Sequence, residues 1–289
     1  EIVADIGAGD VDLDQIRLGC RYPGRHAAEI VHRGREDAGD QRHAQFTQAG
    51  FGFPQDGNLV FQAGVGEADR IYHDLVRYVN RRLREEGCKF TLVFCAYVNY
   101  CAPSPGMELP PQLAVSMAPY WRCINHEIND SDCPVNSHYA RDIEAWCKVK
   151  AGGEVNIYEY LMGVNFYISL PMIHMKQIFD EVKYYRSVGV DGFFTQFHLP
   201  HWSVYGVNYY MMAQALYGNK YAPSMKRLMR GLFGDDAAEG ERFYAKMRKL
   251  VLSAGDCHIP YPYSLFSRTR LADYEKMHDL AKALAKKLS

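Results

Sequence analysis

The feature that most limits how this chain can fold is an alternation between short apolar runs and amphipathic segments, extending from Ile71 to Tyr217. Residues 90–97 and 113–120 are apolar runs of strand length, and 155–161 and 190–197 read as two further strands. A run that does not alternate with polar residues is one that both faces of a sheet bury, which is the pattern of a parallel strand. The segments 71–86, 137–150, 174–187 and 204–217 repeat instead at helical spacing. Gly87 and Gly189 follow two of them, where a left-handed C-cap is expected. The expected class is therefore α/β, with about four parallel strands. It reads as the C-terminal half of a TIM (β/α)8-type barrel or as a short open sheet. From Pro223 to Ser289 the pattern is that of three helices without a strand.

The first part of the chain is different in kind. Residues 1–70 contain no Lys, Ser, Met or Trp, yet hold seven Arg and eleven of the 24 Gly. Residues 33–43 show neither a strand period nor a helix period, which predicts loop or disorder. A segment at 2–10, Ile-Val-Ala-Asp-Ile-Gly-Ala-Gly-Asp, looks like the glycine loop of methyltransferases that bind S-adenosylmethionine. The helix such a loop needs does not follow, because Gly19 and Pro23 come too soon. The composition suggests a foreign or out-of-frame segment. The expected organisation is thus an atypical stretch over 1–66, a barrel-type domain over 67–220 and a helical extension over 221–289.

Composition excludes several classes of function. A formal net charge of −1, with no basic cluster beyond Lys286 and Lys287, does not provide a nucleic-acid footprint. No apolar run approaches the ~20 residues of a membrane span. The chain shows no secretory signal and does not begin with Met, so localisation is left open. Of eight cysteines, six fall between Cys88 and Cys147, and none forms a Cys-x-x-Cys pair.

In an α/β protein the loops at strand C-termini carry the chemistry. After the second run comes Trp121-Arg-Cys-Ile-Asn-His-Glu127, followed by Asp130, Asp132, Cys133 and Asn136. Cys123, His126, Cys133 and His138 are residue types that zinc accepts, but their spacing belongs to no common zinc module. Partly buried thiols are the first reading, with a Cys123–Cys133 disulfide as another. No metal and no cofactor is expected. Arg122 is suited either to gripping a substrate carboxylate or to pairing with Glu127, Asp130 or Asp132. Glu159 ends the third run between Tyr158 and Tyr160, where desolvation raises a carboxyl pKa. Strand alternation sends those two tyrosines to the face opposite Glu159. After the fourth run, Gln196, His198, His201 and Trp202 form a polar and aromatic group suited to a sugar pocket.

From about Asp69 to Leu252 the chain resembles domain-of-unknown-function family 4838, which is itself similar to α-glucuronidases and β-hexosaminidases. The resemblance rests on several stretches in matching order: Asp69-Arg70 with Tyr78-Val-Asn80, Arg122-Cys123 with His126, and Cys133-Pro-Val-Asn136. It continues through Trp146, Ile157-Tyr-Glu-Tyr160, Gly189-Val-Asp-Gly-Phe-Phe-Thr-Gln196, and Tyr209 to Gly218. Residues 1–66 do not match the first half of the barrel that the family would place there. The resemblance implies a glycoside hydrolase acting on an acidic or N-acetylated sugar polymer. Glu159 would be its catalytic base, in the Glu-Tyr-Leu context of the α-glucuronidases. Arg122, His126, Tyr160, Gln196, His198 and Trp202 would contact the sugar. The second carboxylate that hydrolysis needs has only Glu127, Asp130 and Asp132 as nearby options. A non-catalytic carbohydrate-binding barrel is the first alternative, and an S-adenosylmethionine-dependent methyltransferase, from the glycine loop at 2–10, is the second. The expected partner is carbohydrate, with oligomeric state open.

Overall fold

The computed structural model describes residues 67–98, 100–160, 173–195, 202–252 and 271–288. The expectations for residues 1–66, for Gln196, His198 and His201, and for the side chain of Trp202 lie outside these. The described residues fall into two compact units, a smaller one with residues 74–90 and a larger one with residues 67–73 and those from 91 onward.

Helix α1, Glu67–Glu85, begins four residues earlier than its apolar pattern predicts. Its buried positions are Asp69, His73, Val76, Asn80 and Leu83, a stripe at alternating steps of four and three. Three of these five are polar, so a count of apolar residues finds the helix but misplaces its start. In the smaller unit, Arg84 lies over the Phe90 ring and donates to the Phe90 carbonyl at 2.8 Å.

In the larger unit, β1 Leu92–Tyr97, β2 Leu113–Ala118, β3 Glu154–Glu159 and β4 Gly192–Thr195 form one parallel sheet in the order β1-β2-β3-β4. Helix α2, Pro134–Lys148, joins β2 to β3, and α3, Met175–Val188, joins β3 to β4. Facing residues of parallel strands share a side, so the register sorts the sheet into two faces. Phe94, Val115, Ile157, Glu159 and Phe193 lie on one face, and Cys95, Tyr97, Ser116, Tyr158 and Phe194 on the other.

The helices take the first face. Trp146 of α2 is fully buried, sits edge-on to Phe94 at 5.6 Å and donates to the Cys101 carbonyl at 2.5 Å. Tyr185 of α3 lies 5.8 Å from the ring of Phe193. On the second face Val93 and Phe194 stay 54% and 40% exposed. The run at 90–97 reads as buried on both sides, whereas β1 is an edge strand that buries only Phe94 and Ala96.

Two glycines fix the turn into β4. Gly189 caps α3 at φ 97°, a left-handed conformation open to glycine. A Cβ on Gly192 would collide with Oδ1 of Asn156, its register partner. Asp191 then accepts from Lys150 at 2.7 Å and from the Val155 N–H at 2.8 Å, tying the start of β3 to β4.

Helices α4 Trp202–Leu216, α5 Tyr221–Phe233, α6 Ala237–Leu252 and α7 Leu271–Leu288 follow, with no strand among the described residues after β4. Val207 and Met211 of α4 pack with Met225, Leu228 and Met229 of α5 and with Ile173 and Met175 in a methionine-rich cluster. Among the described residues no helix is long and apolar enough to cross a membrane.

Candidate functional site

One buried side chain gathers much of the loop between β2 and α2. Asn136, fully buried in the first turn of α2, accepts from the Cys123 N–H at 2.8 Å. Its amide nitrogen donates to the carbonyls of Cys123 at 2.8 Å and of His126 and Glu127 at 3.0 Å. Proline at the first helical position has no N–H to leave unsatisfied, and this is why α2 begins at Pro134 rather than at the predicted Ser137.

Arg122 enters the loop with its side chain turned inward under the helices. It is 5% exposed, and its guanidinium donates to Glu159 Oε1 at 2.6 Å. It also forks onto both oxygens of Glu181 on α3, reaching Oε2 at 3.0 Å, and donates to the His126 carbonyl at 3.1 Å. Glu181 further accepts from the Ile128 N–H at 2.9 Å and from Gln177 at 3.0 Å. The Tyr185 hydroxyl donates to Glu159 at 2.6 Å. Burial pushes the Glu159 carboxyl above its usual range; Arg122 opposes the shift and Glu181 adds to it. The two carboxylates keep Arg122 charged despite its burial.

The sequence leaves Arg122 either to a substrate carboxylate or to Glu127, Asp130 or Asp132; its partners in the structure are Glu159 and Glu181. Glu181 was missed because it sits between Asp180 and Lys183 like an ordinary surface residue. Its spacing from Ile178, Val182 and Tyr185, the buried side of α3, was the signal that could have found it. The same stripe identifies Tyr185.

The opposite face of the sheet is aromatic at its C-terminal end. Tyr97 lies 5.3 Å from Tyr120, Tyr120 5.1 Å from Tyr160, Tyr160 5.2 Å from Tyr158, and Tyr158 5.2 Å from Phe194. Every ring meets the next nearly edge-on, the geometry that the ring quadrupoles favour. The four tyrosines are half-buried. This seam runs across the C-terminal ends of all four strands. Glu159 and Tyr160, adjacent in sequence, therefore serve different faces: the carboxylate meets the helices and the ring joins the seam.

His126 belongs to a third place. It lines a cavity of about 710 Å³, together with Asn125, His174, Gln177, Tyr244 and Arg248. In its wall Arg248 donates to His174 Nδ1 and, at 2.6 Å, to Gln177 Oε1. The His174 imidazole is held neutral, first by burial and then by the nearby Arg248 and Arg122 charges. Of the expected sugar contacts, then, Tyr160 lies on the seam, His126 on the cavity and Arg122 in the buried charge cluster.

The four residues noted for zinc divide as well. Cys123, His126 and Cys133 bring their ligand atoms within 4.8 Å of one another. His138 instead faces Asp142 along α2 at 3.4 Å. No protein-family profile, curated protein or solved structure matches this chain.

Proposed function

We propose that the chain is a carbohydrate-active domain of glycoside-hydrolase type, that its four strands are barrel-type sheet, and that the tyrosine seam holds the sugar. The observation that carries this reading is the seam itself, five aromatic rings in contact along the C-terminal ends of consecutive parallel strands. That end is where barrel enzymes place their substrates, and aromatic rings with hydroxyl tips offer both apolar faces and hydrogen bonds to a pyranose. Two features support the barrel reading. The strand order is strictly consecutive, and α2 and α3 lie on one face, as successive β-α units around a barrel require. The proposed ligand is an acidic or N-acetylated sugar polymer.

A second reading, binding without hydrolysis, is favoured by the placement of Glu159. Its carboxylate is 2% exposed and bound to Arg122 and Tyr185 on the helix-covered face, away from the seam. Within the proposal Glu159 and Glu181 hold Arg122, and through it the loop that carries Tyr120 and Trp121.

The test is titration of the chain with aryl glucuronides and aryl N-acetylhexosaminides, following tyrosine fluorescence and aryl alcohol release together. Saturable binding is expected, weakened about 2–12-fold by Tyr120→Ala or Tyr160→Ala, the range corresponding to roughly 0.5–1.5 kcal/mol per aromatic contact. Release of the alcohol that Glu159→Gln abolishes would restore Glu159 as the catalytic base. Absence of binding to both sugar classes would overturn the proposal.

A further inference from the structure

The cluster of Cys123, His126 and Cys133 lies apart from the tyrosine seam, and its chemistry points elsewhere. We infer that these three side chains form a zinc site with two sulfur ligands, one nitrogen ligand and a fourth position for water or an incoming ligand.

Three observations carry the inference. The first is distance. Zinc–sulfur bonds of about 2.3 Å and zinc–nitrogen bonds of about 2.0 Å place tetrahedral ligands roughly 3.5–3.8 Å apart. Cys123 Sγ and His126 Nδ1 stand 3.3 Å apart, and all three ligand atoms lie within 4.8 Å of one another. Closing onto a metal therefore takes shifts of about an ångström.

The second is support behind the ligands. The Asn136 side chain binds the backbone of Cys123, His126 and Glu127. The His126 carbonyl also accepts from Arg122 at 3.1 Å and from Gln177 at 2.7 Å. Cys133 sits at the N-cap of α2, three residues before Asn136. Cys123 and His126 are thus held by a buried amide that lies in the helical turn following Cys133, the kind of outer-shell support that orients metal ligands.

The third is charge. Cys123 and Cys133 are 1% and 0% exposed. Two thiolates and a zinc dication sum to zero, so binding releases two protons and leaves no net buried charge. The sulfur and imidazole donor set selects zinc over magnesium or calcium. The same loop also holds Asn125 Oδ1, a buried acceptor that no described donor reaches.

The reduced full chain is to be stripped with chelator and titrated with zinc and with cobalt. One equivalent of metal per chain is expected, with a sulfur-to-cobalt charge-transfer band in the near ultraviolet. Cys123→Ser and Cys133→Ser should each lose the band and bind at least a hundredfold more weakly, while His138→Ala keeps both. Alkylation mapped by mass spectrometry gives a readout without substitution: zinc should protect Cys123 and Cys133 but leave Cys95 reactive. Failure of metal to protect the two thiols, or an unchanged cobalt spectrum in folded Cys123→Ser, would overturn the site. A reduced chain that takes up no metal and recovers a Cys123–Cys133 disulfide on oxidation would overturn it too, assigning the pair to a structural bridge.

Discussion

A guanidinium between two carboxylates sets one positive charge against two negative ones, all but removed from water. Removing the cation from such a cluster leaves uncompensated buried charge, a loss of roughly 3–5 kcal/mol. Arg122→Met should therefore lower stability by about that amount, read from denaturant melts, since Glu159 and Glu181 would face each other without their shared donor. Glu159→Gln should be mild by comparison, because glutamine removes the excess charge and can still accept from Tyr185. The pH dependence of that variant has a definite sign. A carboxyl raised in the folded state contributes stability in full below its ordinary value, here 4.5, and loses it as pH rises through the folded value. Glu159→Gln should gain on the wild type as pH rises above 4.5 and then level off. A variant that gained as pH fell would place the Glu159 carboxyl on the other side of its ordinary range.

At the scale of elements, helix α2 is the piece on which most depends. It contributes Asn136 to the loop, Trp146 to the sheet and Tyr139, whose hydroxyl accepts from the Trp121 N–H at 3.1 Å. Trp146 also stands edge-on to His73 of α1 at 5.3 Å, so β1, α1 and α2 meet on one indole. Trp146→Ala should cost about 3–5 kcal/mol by opening a cavity and freeing the Cys101 carbonyl of its donor. A loss near 1 kcal/mol in a calorimetric melt would mean that α2 is held elsewhere. The elements themselves were legible. β2 is apolar but for Ser116 and buried throughout, so its sequence pattern and its environment agree. β1 looks the same in sequence but is an edge strand, and nothing local distinguishes the two. The partners of Arg122 were not legible either. Glu159 and Glu181 lie 37 and 59 residues along the chain, and it takes the parallel sheet and the packing of α3 to bring them to one guanidinium.

For the whole molecule the decisive property is the unequal treatment of the two sheet faces. The helix-covered face holds Phe94, Val115, Ile157 and Phe193, while the other carries Val93 and Phe194 about half exposed at the two edges. In the proposed barrel-type sheet this second face points inward, so its residues are selected for a covered site even where this chain exposes them. Substitution at an exposed position typically changes stability by no more than about 0.5 kcal/mol. Val93→Asp and Phe194→Asp should accordingly leave the melting temperature of this chain almost unchanged. Both should raise its solubility, since each breaks an exposed apolar patch. Cys95, exposed on the same face beside Val93, should stay open to alkylation in the native state. A drop of several kcal/mol in either variant, together with a protected Cys95, would show that the second face is covered in solution. Sugar held on the tyrosine seam would then have to enter through the strand ends alone, and binding to a polymer would be restricted to its termini. The three measurements therefore decide access to the seam as well as the state of the sheet.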